Sequence, residues 1–327
     1  MRTGIKIVAT GAAVPERVVT NDDLSTFLDT SDEWIRPRTG IESRHISTGE
    51  NTADLCTRAA QQMLTRSGWD PASLDLIVVG TMSPDSCTPA TAAIVQGRIG
   101  AVNAACFDLS AACSGFVYGL QVAQRFLATG MHRALVIGGE VLSKLVDWQD
   151  RRTAVLFGDG AAGVLLEKQS DDDAAAFLAG QMWADGTAYD KLQAGQIAPL
   201  QSFPPQHQRW EYVPFTMDGH AVYRFATNEV ARSLTTTLDA AGMTADNVDY
   251  FLLHQANYRI IGVIAKKIGQ PVAKFPVNIA KYGNTSAASI PLLLDELVTH
   301  GTLHRGAVVA LSGFGGGLTV GTQIIRF

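Results

Sequence analysis

Ala59-Ala-Gln-Gln-Met-Leu-Thr-Arg-Ser-Gly68-Trp-Asp-Pro-Ala-Ser-Leu-Asp75-Leu-Ile-Val-Val79 decides the fold, because the chain contains its pattern twice. Small and apolar residues at helical spacing run up to Gly68, Pro71 marks a turn, and Leu76-Ile-Val-Val79 lacks polar alternation. That reads as an amphipathic helix, a glycine stop and a strand buried on both faces. Ser233-Leu-Thr-Thr-Thr-Leu-Asp-Ala-Ala-Gly242-Met-Thr-Ala-Asp-Asn-Val-Asp249-Tyr-Phe-Leu-Leu253 repeats it, with Gly242 and Asp249 each 174 residues after Gly68 and Asp75. Further on, Gly130-Met-His132-Arg133-Ala-Leu-Val-Ile pairs with Gly301-Thr-Leu-His304-Arg305-Gly-Ala-Val-Val at an offset of 171 to 172. Each half therefore carries helix, strand, helix, strand in one order. Strands alternating with helices predict an α/β fold with crossover connections.

Outward from this pair, residues 5–10 read as a first strand and Val14-Pro15 as a turn. A helix starts near Asn21, capped by it or by Thr20, and the first repeat helix spans 52–67. A helix follows Pro89, residues 104–109 read as a buried strand, 115–129 as a helix and 133–139 as a strand. Residues 154–166 are glycine-rich and apolar. The run 168–176, with Asp171-Asp-Asp173, is the natural surface connection between halves. Residues 185–215 lack periodicity and contain Pro204-Pro205, an excursion before a long helix over 223–241.

The 327 residues suffice for two domains or two halves of one. A 46% hydrophobic, 17% charged chain with 31 glycines is globular, with a large core and many turns. The net charge of −5 gives no sign of a general nucleic-acid binder. The apolar run at the N-terminus is too short for a signal peptide, and no run approaches a membrane span, so no membrane partner is expected. Cys56, Cys87, Cys106 and Cys113 form no Cys-x-x-Cys pair and have no histidines at metal spacing. Free thiols in a reducing cytoplasm and no metal are the expectation.

Asp108-Leu-Ser-Ala-Ala-Cys113-Ser-Gly-Phe-Val-Tyr-Gly-Leu120 puts one cysteine where a strand hands over to a helix. It reads either as a small core residue or as a nucleophile whose pKa the positive helix end lowers. With an offset near 171, Cys113 lands on Asn284, and His254 lands near Gly80 at a strand end. Such strand and helix ends are where α/β folds place chemistry. His254 alone reads as a satisfied core residue or a presented group, and Asn284 alone as a helix cap or a donor. Ser31-Asp-Glu-Trp34-Ile-Arg-Pro-Arg38-Thr-Gly40 reads as a solvated helix end or as an aromatic and guanidinium site for a nucleotide.

Ala111-Ala-Cys113-Ser-Gly115, Leu253-His254-Gln-Ala-Asn257-Tyr-Arg259, Tyr282-Gly-Asn284-Thr-Ser-Ala-Ala-Ser289 and Gly313-Phe-Gly-Gly-Gly317 together resemble β-ketoacyl-acyl carrier protein synthase III, along with Asp32-Glu-Trp34, Arg38-Thr-Gly-Ile41 and Arg151-Arg-Thr-Ala-Val-Leu-Phe-Gly-Asp159. The resemblance runs from Gly11 to Phe327. It implies a thiolase-like α/β fold, two repeat-related halves in five α-β-α-β-α layers, split as 1–172 with Cys113 and 173–327 with His254 and Asn284. It implies the initiating condensation of fatty-acid synthesis: Cys113 takes an acyl group from acyl-coenzyme A, then malonyl-acyl carrier protein loses carbon dioxide and attacks it. His254 and Asn284 donate to the enolate oxygen, Cys113 and Gly316 N–H groups hold the tetrahedral oxyanion, and Phe314 flanks the malonyl site. Trp34, Arg38, Arg152 and Gly219 are implied to meet coenzyme A, which is a substrate; no permanently bound cofactor is implied. Arg259, Lys266 and Lys267 stand at i, i+7 and i+8 on one helix face, a docking face for an acidic carrier protein with Gln255, or a solvated face. A homodimer is implied by the family.

Two departures stand out. Thr88 replaces a phenylalanine that in relatives reaches toward the partner's acyl pocket, which points to longer or branched starters. His220 replaces the usual asparagine after Gly219. Two rivals remain at this stage. One is a related acyltransferase or condensing enzyme of secondary metabolism with a different acceptor. The other is a non-catalytic dimer subunit, against which Cys113 argues.

Overall fold

A computed structural model describes residues 4–169, 176–197, 199 and 213–327. Its main strands are β1 (Ile5–Ala13), β2 (Leu76–Gly80), β3 (Ala105–Leu109), β4 (Arg133–Glu140), β5 (Gly160–Lys168), β6 (Ala176–Ala184), β7 (Tyr250–Leu253), β8 (Val308–Gly315) and β9 (Thr319–Arg326). The first sheet runs β1-β5-β4-β2-β3 and the second β6-β9-β8-β7. In both, the first three strands pair antiparallel and the rest parallel. The second sheet thus copies the first strand by strand and, among the described residues, has no counterpart of β3.

The longer helices are α1 (Asp32–Thr39), α2 (Thr52–Ser67), α3 (Thr91–Ile99), α4 (Gly115–Ala128), α5 (Gly219–Ala240), α6 (Tyr258–Lys267) and α7 (Ser289–Thr299). Asn51 and Asp54 close a capping box at the start of α2, and Gly68 ends it at φ 68°. Gly242, after α5, has the same φ of 68°. The repeat is therefore visible in the backbone of the two helix stops. Asp218 caps α5 through the Ala221 N–H, one turn earlier than the predicted start at 223.

Side chains from alternate positions sort the layers. Leu76 and Val78 face inward with Leu120, Leu127, Leu293, Leu297, Val309 and Leu311, so α4 and α7 lie between the sheets. Ile77 and Val79 face outward onto Leu55, Met63 and Val95 of α2 and α3. Phe251 and Leu253 do the same with Val230, Leu234 and Ile264 of α5 and α6. This is the expected five-layer order. Each fully buried leucine in the central layer contributes about 1.5–3 kcal/mol. Across the seam, the buried Asp295 carboxylate accepts from Thr10 Oγ1 at 2.6 Å and pairs with Arg66 at 2.5 Å.

Two expectations need adjusting. Residues 104–109 are not a buried strand: β3 is the outer edge of its sheet, with Ala105 exposed and the rest partly so. Its outer edge meets no further strand among the described residues. The excursion over 185–215 contains a helical turn, Gly186–Lys191, and a short pairing of Leu192–Gln193 with Thr216–Met217. Its Pro204-Pro205, the Asp171-Asp-Asp173 run and the 172/173 boundary lie outside the described residues.

Candidate active site

Two turns meet at the seam. Ala112–Ser114 leads into α4 and Ser286–Ala288 leads into α7. Their first residues, Ala112 (φ 45°) and Ser286 (φ 48°), are non-glycines in the left-handed region, a strain that folds retain where function requires it. They are 174 residues apart, so the counterpart of Cys113 is Ala287 and not Asn284, which lies three residues earlier. The offset of 171 belongs to the chain beyond these helices: α4 has 14 residues and α7 has 11.

Cys113 is buried in the turn ahead of α4. Burial pushes its thiol up to about 12, and the nearby Glu140 carboxyl acts in the same direction. The expected lowering by the helix end is overridden: at neutral pH the group is a thiol. Removing a charge from water costs more than a helix dipole returns. Gly313 and Gly315 let β8 press against Cys113. A Cβ on Gly315 meets the Cys113 backbone nitrogen at 2.6 Å, and one on Gly313 meets its carbonyl oxygen at 3.0 Å.

His254 follows β7 and is buried, its N–H bonded to the Ser312 carbonyl at 2.9 Å. Desolvation lowers its pKa to about 3, so the ring is neutral. Its Nδ1 lies 2.6 Å from Ser289 Oγ, and Phe314 meets the ring edge-on at 5.1 Å. Asn284 is fixed through its backbone, donating to Leu156 O at 2.8 Å and accepting from Gly158 N at 3.0 Å. Its Oδ1 accepts the Ser286 N–H at 2.9 Å, which leaves the amide NH₂ as the free donor end.

Cys113, His254, Asn284, Phe314, Gly316, Arg38 and Gly219 all line one cavity of about 280 Å³, together with Met82, Leu156, Phe157, Leu192 and Phe215. Its wall is largely apolar, and Phe157 stacks on Phe215 at 4.3 Å. Trp34 stands nearby on α1, half-buried, with the Arg38 guanidinium 4.9 Å from its ring. Arg151 is a second guanidinium over Trp34, at 5.2 Å. Arg152 points to solvent and pairs with Asp150 at 2.9 Å. Gln255 corrects the docking-face reading: it is buried, donating to Leu253 O and accepting from Asn278 N. Arg259, Lys266 and Lys267 are exposed on α6. Thr88 is exposed and not part of this chain's cavity lining.

Sequence reasoning missed several residues around the site. Ser289 is one; the 174 offset to Gly115 was its available signal. Glu140 is another. It is fully buried at the end of β4 and accepts from Ser83 Oγ at 2.5 Å, Thr81 Oγ1 at 3.1 Å and Ser83 N at 3.1 Å. Burial raises its carboxyl to about 7. Arg44 is fully buried and donates to Asn21 Oδ1 at 2.9 Å and Val155 O at 2.8 Å, bracing the floor beside Phe157; burial lowers it to about 10. Nothing in a single sequence marks either as buried.

The family model for 3-oxoacyl-[acyl-carrier-protein (ACP)] synthase III matches residues 107–186, and the one for that enzyme's C terminal matches 238–327. The chain is 51% identical over 325 residues to the β-ketoacyl-[acyl-carrier-protein] synthase III of Limosilactobacillus reuteri (strain DSM 20016), covering 99% of each. It is 54% identical over 324 residues to the enzyme of that name from Lactobacillus delbrueckii subsp. bulgaricus (strain ATCC BAA-365 / Lb-18), again covering 99% of each. The crystal structure of 3-oxoacyl-[acyl-carrier-protein] synthase III from Aquifex aeolicus VF5 superimposes with a TM-score of 0.91 at 40% identity, over 99% of this chain and 100% of that one.

Proposed function

Because the chain belongs to the β-ketoacyl-[acyl-carrier-protein] synthase III family, the acyltransferases that carry out the initiating condensation of fatty-acid synthesis, we propose that its acyl intermediate forms on Cys113. The observation that carries this reading is the single cavity lined by Cys113, His254, Asn284, Phe314 and Gly316. The Cys113 sulfur attacks the acyl-coenzyme A carbonyl, the coenzyme thiolate leaves, and the thiol proton balances that thiolate. Malonyl-acyl carrier protein then occupies the emptied cavity. Loss of carbon dioxide leaves an enolate, whose oxygen takes hydrogen bonds from neutral His254 and from the Asn284 amide. The carbanion attacks the acyl-cysteine, and the N–H groups of Cys113 and Gly316 hold the oxyanion. Each such donor is typically worth about 2.7–4 kcal/mol of barrier.

Coenzyme A fits the mouth of the cavity. Trp34, flanked by Arg38 and Arg151, offers a ring for the adenine and charge for the phosphates, and Gly219 leaves room for the chain. Arg259, Lys266 and Lys267 of α6 are the docking face for the acidic carrier protein; Gln255 is not part of it. The open edge of β3, with Phe126 and the 73% exposed Val102 nearby, supports a homodimer built on that edge. Thr88, which is exposed, suits a position that shapes the partner's acyl pocket and admits branched or longer starters. The two sheets serve as the two halves, and the free cysteines fit a cytoplasmic enzyme.

Intact mass after mixing with acyl-coenzyme A tests the reading. An adduct of one acyl group that disappears in Cys113→Ala is expected; an adduct that survives the substitution rules the mechanism out.

A further inference from the structure

The geometry points to Ser289 as a positioning residue that fixes the tautomer of His254, holding the ring proton on Nε2, where it can face the reacting oxygen. This rests on reading His254 as a donor to the enolate. A neutral imidazole carries one N–H, and which nitrogen bears it decides whether the ring can donate into the cavity.

The hydrogen-bond count leaves one solution. Ser289 is buried, and among the described residues its Oγ has two polar neighbours: His254 Nδ1 at 2.6 Å and the Gln255 backbone nitrogen at 3.4 Å. The Gln255 N–H can only donate, so the Ser289 oxygen accepts it. The hydroxyl proton then has one acceptor within reach, Nδ1. A proton on Nδ1 would leave the Ser289 O–H buried without a partner, which costs about 1–3 kcal/mol. Nδ1 is therefore the acceptor and Nε2 carries the hydrogen. A neutral ring held in one tautomer is a known way to polarise a developing oxyanion.

The internal repeat supports a dedicated pair. His254 and Ser289 sit 174 residues after Gly80 and Gly115. In the first half those glycines are in near-backbone contact: a Cβ on Gly80 would meet the Gly115 carbonyl carbon at 2.7 Å. The second half fills the equivalent contact with an imidazole and a hydroxyl. The α7 helix, which carries Ser289 in its first turn, holds that hydroxyl rigidly.

The test uses the full chain labelled with ¹⁵N-histidine and free of substrate, with His254 assigned by its loss in His254→Gln. A pyridine-type Nδ1 and a protonated, pyrrole-type Nε2 are expected. In Ser289→Ala the two nitrogens should shift toward a tautomer mixture. Condensation should fall about 10- to 100-fold, below the 10²–10³-fold of losing a donor outright, while Cys113 acylation by acyl-coenzyme A stays unchanged. Ser289→Thr should restore both. A protonated Nδ1 in the native protein, or a Ser289→Ala variant with native tautomer and native condensation, would overturn the assignment. A protein with the Nε2–H tautomer that forms no acyl adduct would uphold the assignment and defeat the condensing role of the site.

Discussion

Gly138→Ala tests how tightly the donor side of the site is registered against the first sheet. Gly138 lies in β4, and a Cβ there would stand 2.1 Å from the Ala287 carbonyl oxygen and 2.6 Å from its carbon. Real Cβ atoms do not approach such atoms within 3.0 Å, so the Ser286–Ala288 turn has to retreat by about 1 Å. Overpacking of this kind costs about 1–3 kcal/mol. The turn connects Asn284 to Ser289, so the retreat from Gly138 displaces both. A misplacement of about 1 Å can cost 10²-fold in rate. Release of carbon dioxide from malonyl-acyl carrier protein should therefore fall about 100-fold in Gly138→Ala, with a urea midpoint lowered but a cooperative transition kept. Gly97→Ala is the control. Gly97 lies within α3 with nothing within 4 Å, and alanine there should stabilise by about 0.5–1 kcal/mol without touching activity. A folded Gly138→Ala protein that decarboxylates at the native rate would show that the turn is not held by this contact.

The buried, neutral His254 makes stability fall in acid. Its unfolded form takes up a proton below about 6.5 and its folded form only near 3, so unfolding free energy declines as pH drops through that window, by at most about 1.4 kcal/mol per pH unit. Urea titrations at pH 7 and pH 5 should show a shallower decline in His254→Gln; equal slopes would contradict a native imidazole held neutral. Glu140 works in the opposite sense, losing stability as pH rises from 4.5 to about 7, which is why the comparison between variants is the readout. Arg151→Ala should raise KM for acyl-coenzyme A severalfold, whereas Arg152→Ala, whose guanidinium is engaged with Asp150, should leave it near native. Thr88→Phe should shift relative kcat/KM from branched and medium-chain starters toward acetyl-coenzyme A; an unchanged ratio argues that this position does not bound the acyl pocket.

The helix over 52–67 was legible to the residue because its signals are local: a capping box at one end, a glycine in the left-handed region at the other, and a clean apolar face between. Cys113, His254 and Asn284 were legible as site-forming positions because strand ends and helix starts converge in this topology, and Phe314 and Gly316 only through the family resemblance; all five line one cavity. What the sequence could not supply depends on distance in space. The equivalence of Cys113 and Asn284 failed because α7 is shorter than α4, and an offset measured beyond the helices cannot be applied before them. Gln255 was misplaced because α6 begins only at Tyr258; helical spacing says nothing about a residue three positions ahead of it. Arg151 and Arg152 are neighbours on a four-residue turn, and only the position of α1 decides which reaches Trp34. The thiol pKa depends on burial, to which helix-end reasoning is blind.

The two turns at the seam also set what kind of machine a duplicated fold makes here. Two identical halves would present two identical, incomplete sites facing one another. In this chain Ala287 stands where the other half has Cys113, and Gly80 stands where the other half has His254. Each half supplies what its counterpart lacks at the related position. A symmetric scaffold has become a single cavity whose lining is asymmetric, with Cys113 drawn from one half and His254 and Asn284 from the other, as the proposed division between acyl carrier and charge stabilisers requires. Neither wall can be redesigned alone, because every displacement of one turn is a change in the reaction distance to the other.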